Sequence, residues 1–228
     1  HLTTRRQRQM CIRDSCVPLP IYVIADQLGV PRSELALLKK WSDASTSRLG
    51  RLADEEQQIQ NAKDIVEFQH YFADLIDRMR DHPEDNIISD LANNTIDEGR
   101  LLTKAEALGM IQQILVAGNE TSTNAIAGGV VLLIQNPEEQ AKLRANPDLI
   151  PTAVEEILRL ETPTSGMWRR ATQDTEIDGV AIPEGSFLMV RFAAGNRDES
   201  VFPCAGAMQV DRENADNHMA FGQGTHFC

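Results

Sequence analysis

Apolar residues recur at helical spacing through most of the chain. Ile21 to Leu28 is a short apolar stretch, helix or strand, closed by Gly29-Val30-Pro31. Leu35, Leu37, Leu38 and Trp41 then predict an amphipathic helix over residues 33–49. A longer pattern, with Ile59, Ile65, Val66, Phe68, Phe72, Leu75, Ile76 and Met79, predicts a helix over about 53–80 that ends before His82-Pro83. A short helix follows at 85–92. Thr103 with Glu106 three residues on is a capping box, and it opens a helical pattern that stays mostly apolar to about Gln135. Because that segment is apolar nearly all round, it is expected to be buried. Asn136-Pro137 and Pro151 open two more helices, the second ended by Thr162-Pro163.

The periodicity changes after residue 165. Residues 176–192 read as short strands joined by Gly-containing turns, and residues 193–228 are rich in Gly, Pro, Asn and Asp. An irregular segment of that size is too long for a simple connection and is often functional. The fold class is therefore mainly α with a small β component.

Charge narrows the partners. The chain has 22 Lys+Arg against 34 Asp+Glu, a net charge of −12, which argues against nucleic acid or an anionic membrane surface as the main partner. No apolar run approaches the ~20 residues of a spanning helix, and no apolar leader is visible near the N-terminus. Cys11, Cys16, Cys204 and Cys228 are irregularly spaced and do not resemble a disulfide framework, so a reducing cytoplasm is the expected compartment. Residues 1–15 stand apart: Arg5, Arg6, Arg8 and Arg13 face only Asp14. Arg5 to Ser15 resembles the conceptual translation of a transposase-based sequencing adapter. Residues 1–15 are accordingly expected to be an artefact without ordered structure, and they are set aside from fold reasoning.

The most informative stretch is Phe221-Gly222-Gln223-Gly224-Thr225-His226-Phe227-Cys228. Glycines at 222 and 224 let the backbone pass close to a flat ligand, and a cysteine thiolate can ligate metal. A His-x-Cys pair alone is more often a satisfied loop pair, and zinc would need two further ligands that are not nearby. Taken whole, these residues fit F-G-x-G-x-H-x-C and resemble the haem-binding loop of the cytochromes P-450. Three further matches fall in family order. Ala117-Gly118-Asn119-Glu120-Thr121 is similar to the A-G-x-D/E-T oxygen-activation motif, and Glu156-Ile157-Leu158-Arg159 to E-x-x-R. Arg212 sits where the family places the third member of a Glu/Arg/Arg cluster. Trp168 to Asp174 resembles the segment that supplies an arginine, here Arg169, to a haem propionate. The resemblance covers residues 17–228 and is nearest to the soluble bacterial branch.

That resemblance implies a partial cytochrome P-450 fold over 16–228, truncated at both ends, with Cys228 as the proximal thiolate ligand of haem b. It implies that Glu120 and Thr121 deliver protons, that Gly118 leaves room against the haem, and that Arg169 and His226 pair with the propionates. Phe221 packs beside the sulfur, Gly222 and Gly224 shape the loop, and Glu156, Arg159 and Arg212 form a structural cluster. The implied reaction is oxygen insertion from O2 into a small apolar substrate by a monomeric enzyme. Its electrons come from NAD(P)H through ferredoxin and ferredoxin reductase.

Bland readings stand beside these. An i,i+3 Glu–Arg pair is ordinarily a surface ion pair worth a few tenths of a kcal/mol, and Gly118 to Thr121 could be the wet side of a helix. Cys204 and Met208 also depart from the family pattern. The family begins a helix directly after the cysteine, so this chain is expected to be the middle of a catalytic domain that does not hold haem stably alone. The competing class is a helical binding or scaffold protein that retains the motifs as relics.

Overall fold

A computed structural model describes residues 12–50, 53–96 and 99–228. Of the segment set aside, residues 1–11 lie outside the described residues, and Ile12–Cys16 forms a single π-helical turn. The chain divides into two compact units, His1–Thr123 and Asn124–Cys228.

In the first unit the apolar stretch left open as helix or strand is a helix, α1 (Pro18–Leu28). Pro18 fixes the first helical φ, and Ile21, Ile24, Ala25 and Leu28 then bury one face at three- and four-residue spacing. A 3-10 turn, Arg32–Glu34, leads into α2 (Leu35–Gly50). The Asp54 carboxylate accepts the Gln57 amide at 2.9 Å and starts α3 (Glu55–Asp81), and Asn86 caps α4 (Ile87–Asn93) in the same way from Ser89. Trp41 of α2 is the centre of the core, with ring centroids 5.9 Å from Phe68, 5.2 Å from Tyr71 and 5.9 Å from Phe72. Each large side chain so buried contributes ~1.5–3 kcal/mol against exposure.

The capping box forms as expected. Thr103 N–H donates to the Glu106 carboxylate at 2.8 Å and Glu106 N–H to the Thr103 hydroxyl at 3.3 Å, opening α5 (Lys104–Gln135). The expectation that this helix, apolar nearly all round, is buried needs correcting. In the first unit it packs on a single stripe, Ala107, Ile111, Leu115 and Asn119, while Met110 is 46% exposed; Ile134 near the other end is 54% exposed. A stripe at four-residue spacing is what one packed face produces, whatever the hydrophobicity of the other faces.

The second unit holds the end of α5, then α6 (Pro137–Ala145) and α7 (Ile150–Leu160). Here α5 approaches α7 closely. A Cβ on Gly128 would lie 2.8 Å from the Glu161 Cβ, and one on Gly129 3.0 Å from an Ile157 methyl, so glycine is required by space. Leu132, Ala153, Leu160, Met208 and Val210 form the apolar core of this unit. Two antiparallel hairpins supply the β component. β1 (Met167–Arg170) pairs with β4 (Phe187–Val190), Trp168 opposite Met189, and nested between them β2 (Thr175–Ile177) pairs with β3 (Val180–Ile182). The inner turn is Asp178-Gly179, both at positive φ, the backbone that matches strand twist in a two-residue hairpin. After a short helix, α8 (Phe192–Gly195), residues 196–228 contain only turns and two 3-10 segments, Ala215–Asn217 and Gly224–His226. No helix among the described residues is long and apolar enough to cross a membrane.

Candidate functional site

Glu156 and Arg159 lie one turn apart on α7 and are fully buried, and the irregular segment brings Arg212 onto the same carboxylate. Arg159 donates Nε to Glu156 Oε2 at 2.7 Å and Nη2 to Oε1 at 2.9 Å, while Arg212 Nε lies 3.1 and 3.0 Å from the two oxygens. The Gln209 amide donates to Oε1 at 3.0 Å. Two guanidiniums against one carboxylate leave an excess positive charge in a dry site, a large cost unless other dipoles meet it. Backbone carbonyls do so. Arg159 Nη1 donates to Asn196 O and Ala205 O, both at 2.7 Å, and Arg212 Nη1 to Pro203 O at 2.9 Å. The Arg159 guanidinium also lies 5.0 Å from the centre of the Phe202 ring. A segment without helix or sheet must satisfy its carbonyls somehow. These arginines satisfy several of them and so template residues 196–212. The surface-pair reading of Glu156 and Arg159 does not survive this burial.

Residues 221–228 form a tight terminal loop. Gly222 and Gly224 adopt φ of +73° and +79°, a region that favours glycine. Phe227 N–H closes on Gly224 O at 3.0 Å, and Cys228 N–H on Phe221 O at 3.0 Å. Cys228 thereby ends beside Phe221, whose ring is 6.1 Å from that of Phe227. Both rings face solvent, at 41% and 58% exposure, and the Cys228 thiol and His226 are exposed with them. Among the described residues no three His, Cys, Asp or Glu side chains converge to hold a bare ion. One thiol flanked by flat apolar surface suits a planar group that brings its other metal ligands with it.

The remaining candidates lie on other elements. Arg169 is exposed on β1 and donates to the Trp168 carbonyl at 3.0 Å. Gly118, Glu120 and Thr121 belong to the first unit and are half-buried. The Thr121 hydroxyl donates to Ala117 O at 2.6 Å, four residues back, so its proton is already engaged and its lone pairs remain to accept. Between Gly118 and Glu120, Asn119 points into the core, where its Nδ2 donates to Ser42 at 2.8 Å.

Three residues around the cluster carry no sequence motif of their own. Asn196 accepts the Met219 amide on Oδ1 at 2.6 Å and donates to Thr162 at 2.8 Å, joining the cluster to the chain just before the loop. As a sequence feature, Thr162 before Pro163 marks only the end of a helix. His218 bonds Glu155 of α7, and its one sequence signal is its place three residues before Phe221.

The sequence matches the cytochrome P-450 family over residues 26–228. It is 38% identical to the cytochrome P-450 monooxygenase PikC of Streptomyces venezuelae, over 92% of this chain and 49% of that protein. Against the steroid C26-monooxygenase of Mycolicibacterium smegmatis the figures are 37%, 95% and 54%. The structure superposes on the bacillaene polyketide synthase cytochrome P-450 PksS of Bacillus subtilis with a TM-score of 0.87, at 30% identity, covering 96% of this chain and 55% of that one. The chain thus spans about half the length of the curated relatives it matches.

Proposed function

The chain belongs to the cytochrome P-450 family, and from that premise we propose that the enzyme it forms part of is a haem-thiolate monooxygenase. It inserts one atom of O2 into a small apolar organic substrate. NAD(P)H supplies two electrons through a reductase and a ferredoxin, and the second oxygen atom leaves with two protons as water. One observation carries this reading: an exposed thiol at Cys228, held by its own backbone bond beside two exposed phenyl rings on a glycine-turned loop.

Haem b, when bound, supplies the electron transfer and oxygen activation that side chains do not. This chain's residues hold and shape its surroundings. Cys228 would hold the iron as the thiolate, the form in which sulfur binds metals. Phe221 would pack beside the sulfur of the loaded site and limit water there, which would tune the potential. Gly222 and Gly224 keep side chains out of the space above the loop; a Cβ on Gly224 would meet nothing within 4 Å. Arg169 and His226 offer exposed N–H donors to carboxylates. On α5, Glu120 would take up protons from solvent and the Thr121 hydroxyl would accept a hydrogen bond on its free lone pairs, while Gly118 presents no side chain. Glu156, Arg159 and Arg212 take no part in proton or electron movement and hold the segment that leads to the loop.

The test is spectroscopic. The gene is recovered across both ends and its product expressed beside the Cys228→Ser variant. After reduction and carbon monoxide treatment the first is expected to give the Soret band of a thiolate-ligated haem and the second to lose it. A band unchanged by the substitution removes Cys228 from its assigned role, and no haem in either supports the scaffold reading.

A further inference from the structure

We propose that His218, held by Glu155, is a positioning residue for the loop that ends in Cys228. Ala220 N–H donates to His218 Nδ1 at 3.1 Å. Nδ1 is therefore the acceptor, so the ring proton sits on Nε2 and is donated to Glu155 Oε2 at 2.9 Å. The imidazole is fixed at both nitrogens and is buried, whereas the outer part of Glu155 reaches solvent. Its ring lies 5.6 Å from that of Phe221, and the Phe221 carbonyl takes the Cys228 amide.

A continuous path thus runs from a carboxylate on α7, through the imidazole, to the backbone of Cys228. Adjacent residues of α7 serve different ends. Glu156 turns to the arginines, and Glu155 turns to the stem of the loop. The stem is held twice, at Ala220 by His218 and at Met219 by Asn196. With two successive amides pinned, Phe221 begins from a fixed direction, and the glycine turns after it bring Cys228 back to one place. A generic buried histidine needs partners for its two nitrogens, but they need not pin the residue that starts a ligand loop. The consequence for cofactor binding rests on the proposed function, whereas the positioning itself does not.

The test is amide hydrogen exchange on the whole 228-residue chain without haem. Glu155→Ala and His218→Ala are each expected to speed exchange over residues 220–228 by about tenfold, as expected for loss of a hydrogen bond to a charged partner. The double variant should go no further, because both changes cut one path. Glu155→Gln still accepts from Nε2–H but without the charge, and falls between the parent and Glu155→Ala. Exchange over residues 104–123 stays unchanged throughout. No local rise, a rise of equal size over 104–123, additive effects in the double variant, or a Glu155→Gln that behaves like Glu155→Ala each overturns the proposal. Haem titration of the same proteins separates the two readings. A parent that refuses haem while showing the local pattern removes the proposed function and leaves the positioning role standing; haem bound without that pattern does the reverse.

Discussion

The Glu156 cluster and the terminal loop lie in the same unit and are built from opposite materials. In the cluster, charge is buried and every strong group meets another of this chain: one carboxylate takes two guanidiniums and a backbone amide, and the guanidiniums spread over carbonyls from Asn196 to Ala207. In the loop, shape comes from two positive-φ glycines and two backbone bonds, and the chemically able groups, Cys228, His226, Phe221 and Phe227, face outward. The difference separates holding from reacting. Groups that only hold can be satisfied completely within the chain, whereas groups that take a ligand must keep their valence for it. Asn196 and His218 stand where one kind passes into the other.

The sharpest way to break this contrast is to remove one arginine. Arg159→Ala leaves the Glu156 carboxylate short of its bidentate partner and strips Asn196 and Ala205 of their donor, so a loss of about 3–5 kcal/mol is expected in denaturant unfolding. A loss below about 1 kcal/mol would show the cluster to be no more than a surface-type pair. Asn196→Ala should fall between the two regions. It breaks bonds to Met219 and Thr162 but leaves the backbone carbonyl that Arg159 uses, so about 1–3 kcal/mol is expected in the same measurement.

Much of this was legible beforehand because it rests on local chemistry. The capping box opens α5 because the Thr103 hydroxyl meets the Glu106 amide three residues on, and that spacing is written in the chain. Glu156, Arg159 and Arg212 could be named from motifs, yet their burial could not, since it depends on carbonyls brought from more than thirty residues away. The same limit hid Asn196, Thr162 and His218, whose partners across the fold lie more than twenty residues away in the chain. The expected burial of α5 failed for a different reason. Hydrophobicity says which faces could be covered, and only packing says which one is.

The loop should respond oppositely to the cluster. Cys228→Ser and Phe227→Ala remove exposed groups whose backbone bonds persist, so unfolding free energy should change by less than about 0.5 kcal/mol. On the proposed function, the first alone would also cost the thiolate ligand. A destabilisation by Cys228→Ser comparable to that of Asn196→Ala would mean that the loop helps hold the unit together, and the division between holding and reacting would fail there.

The smallest effect concerns Glu106, an exposed counterpart of Glu156. It receives the same kinds of donor: both Nη atoms of Arg100 at 2.9 Å, the Thr103 amide at 2.8 Å and the Thr103 hydroxyl at 2.9 Å. The Arg100 guanidinium first, then the Thr103 amide and hydroxyl, hold its carboxyl down from 4.5 to about 2. Because the folded value is the lower one, the contribution to stability is fully present above about pH 4.5 and is lost as the pH falls toward about 2. A carboxyl-carbon NMR titration should therefore show a midpoint near 2, with faster amide exchange over residues 104–107 appearing only in that window. Being open to solvent, the pair is screened. Salt at about 1 M should move this midpoint upward while leaving the penalty of Arg159→Ala unchanged. A midpoint that salt does not move would show that the Thr103 donors, rather than the guanidinium, hold the carboxylate.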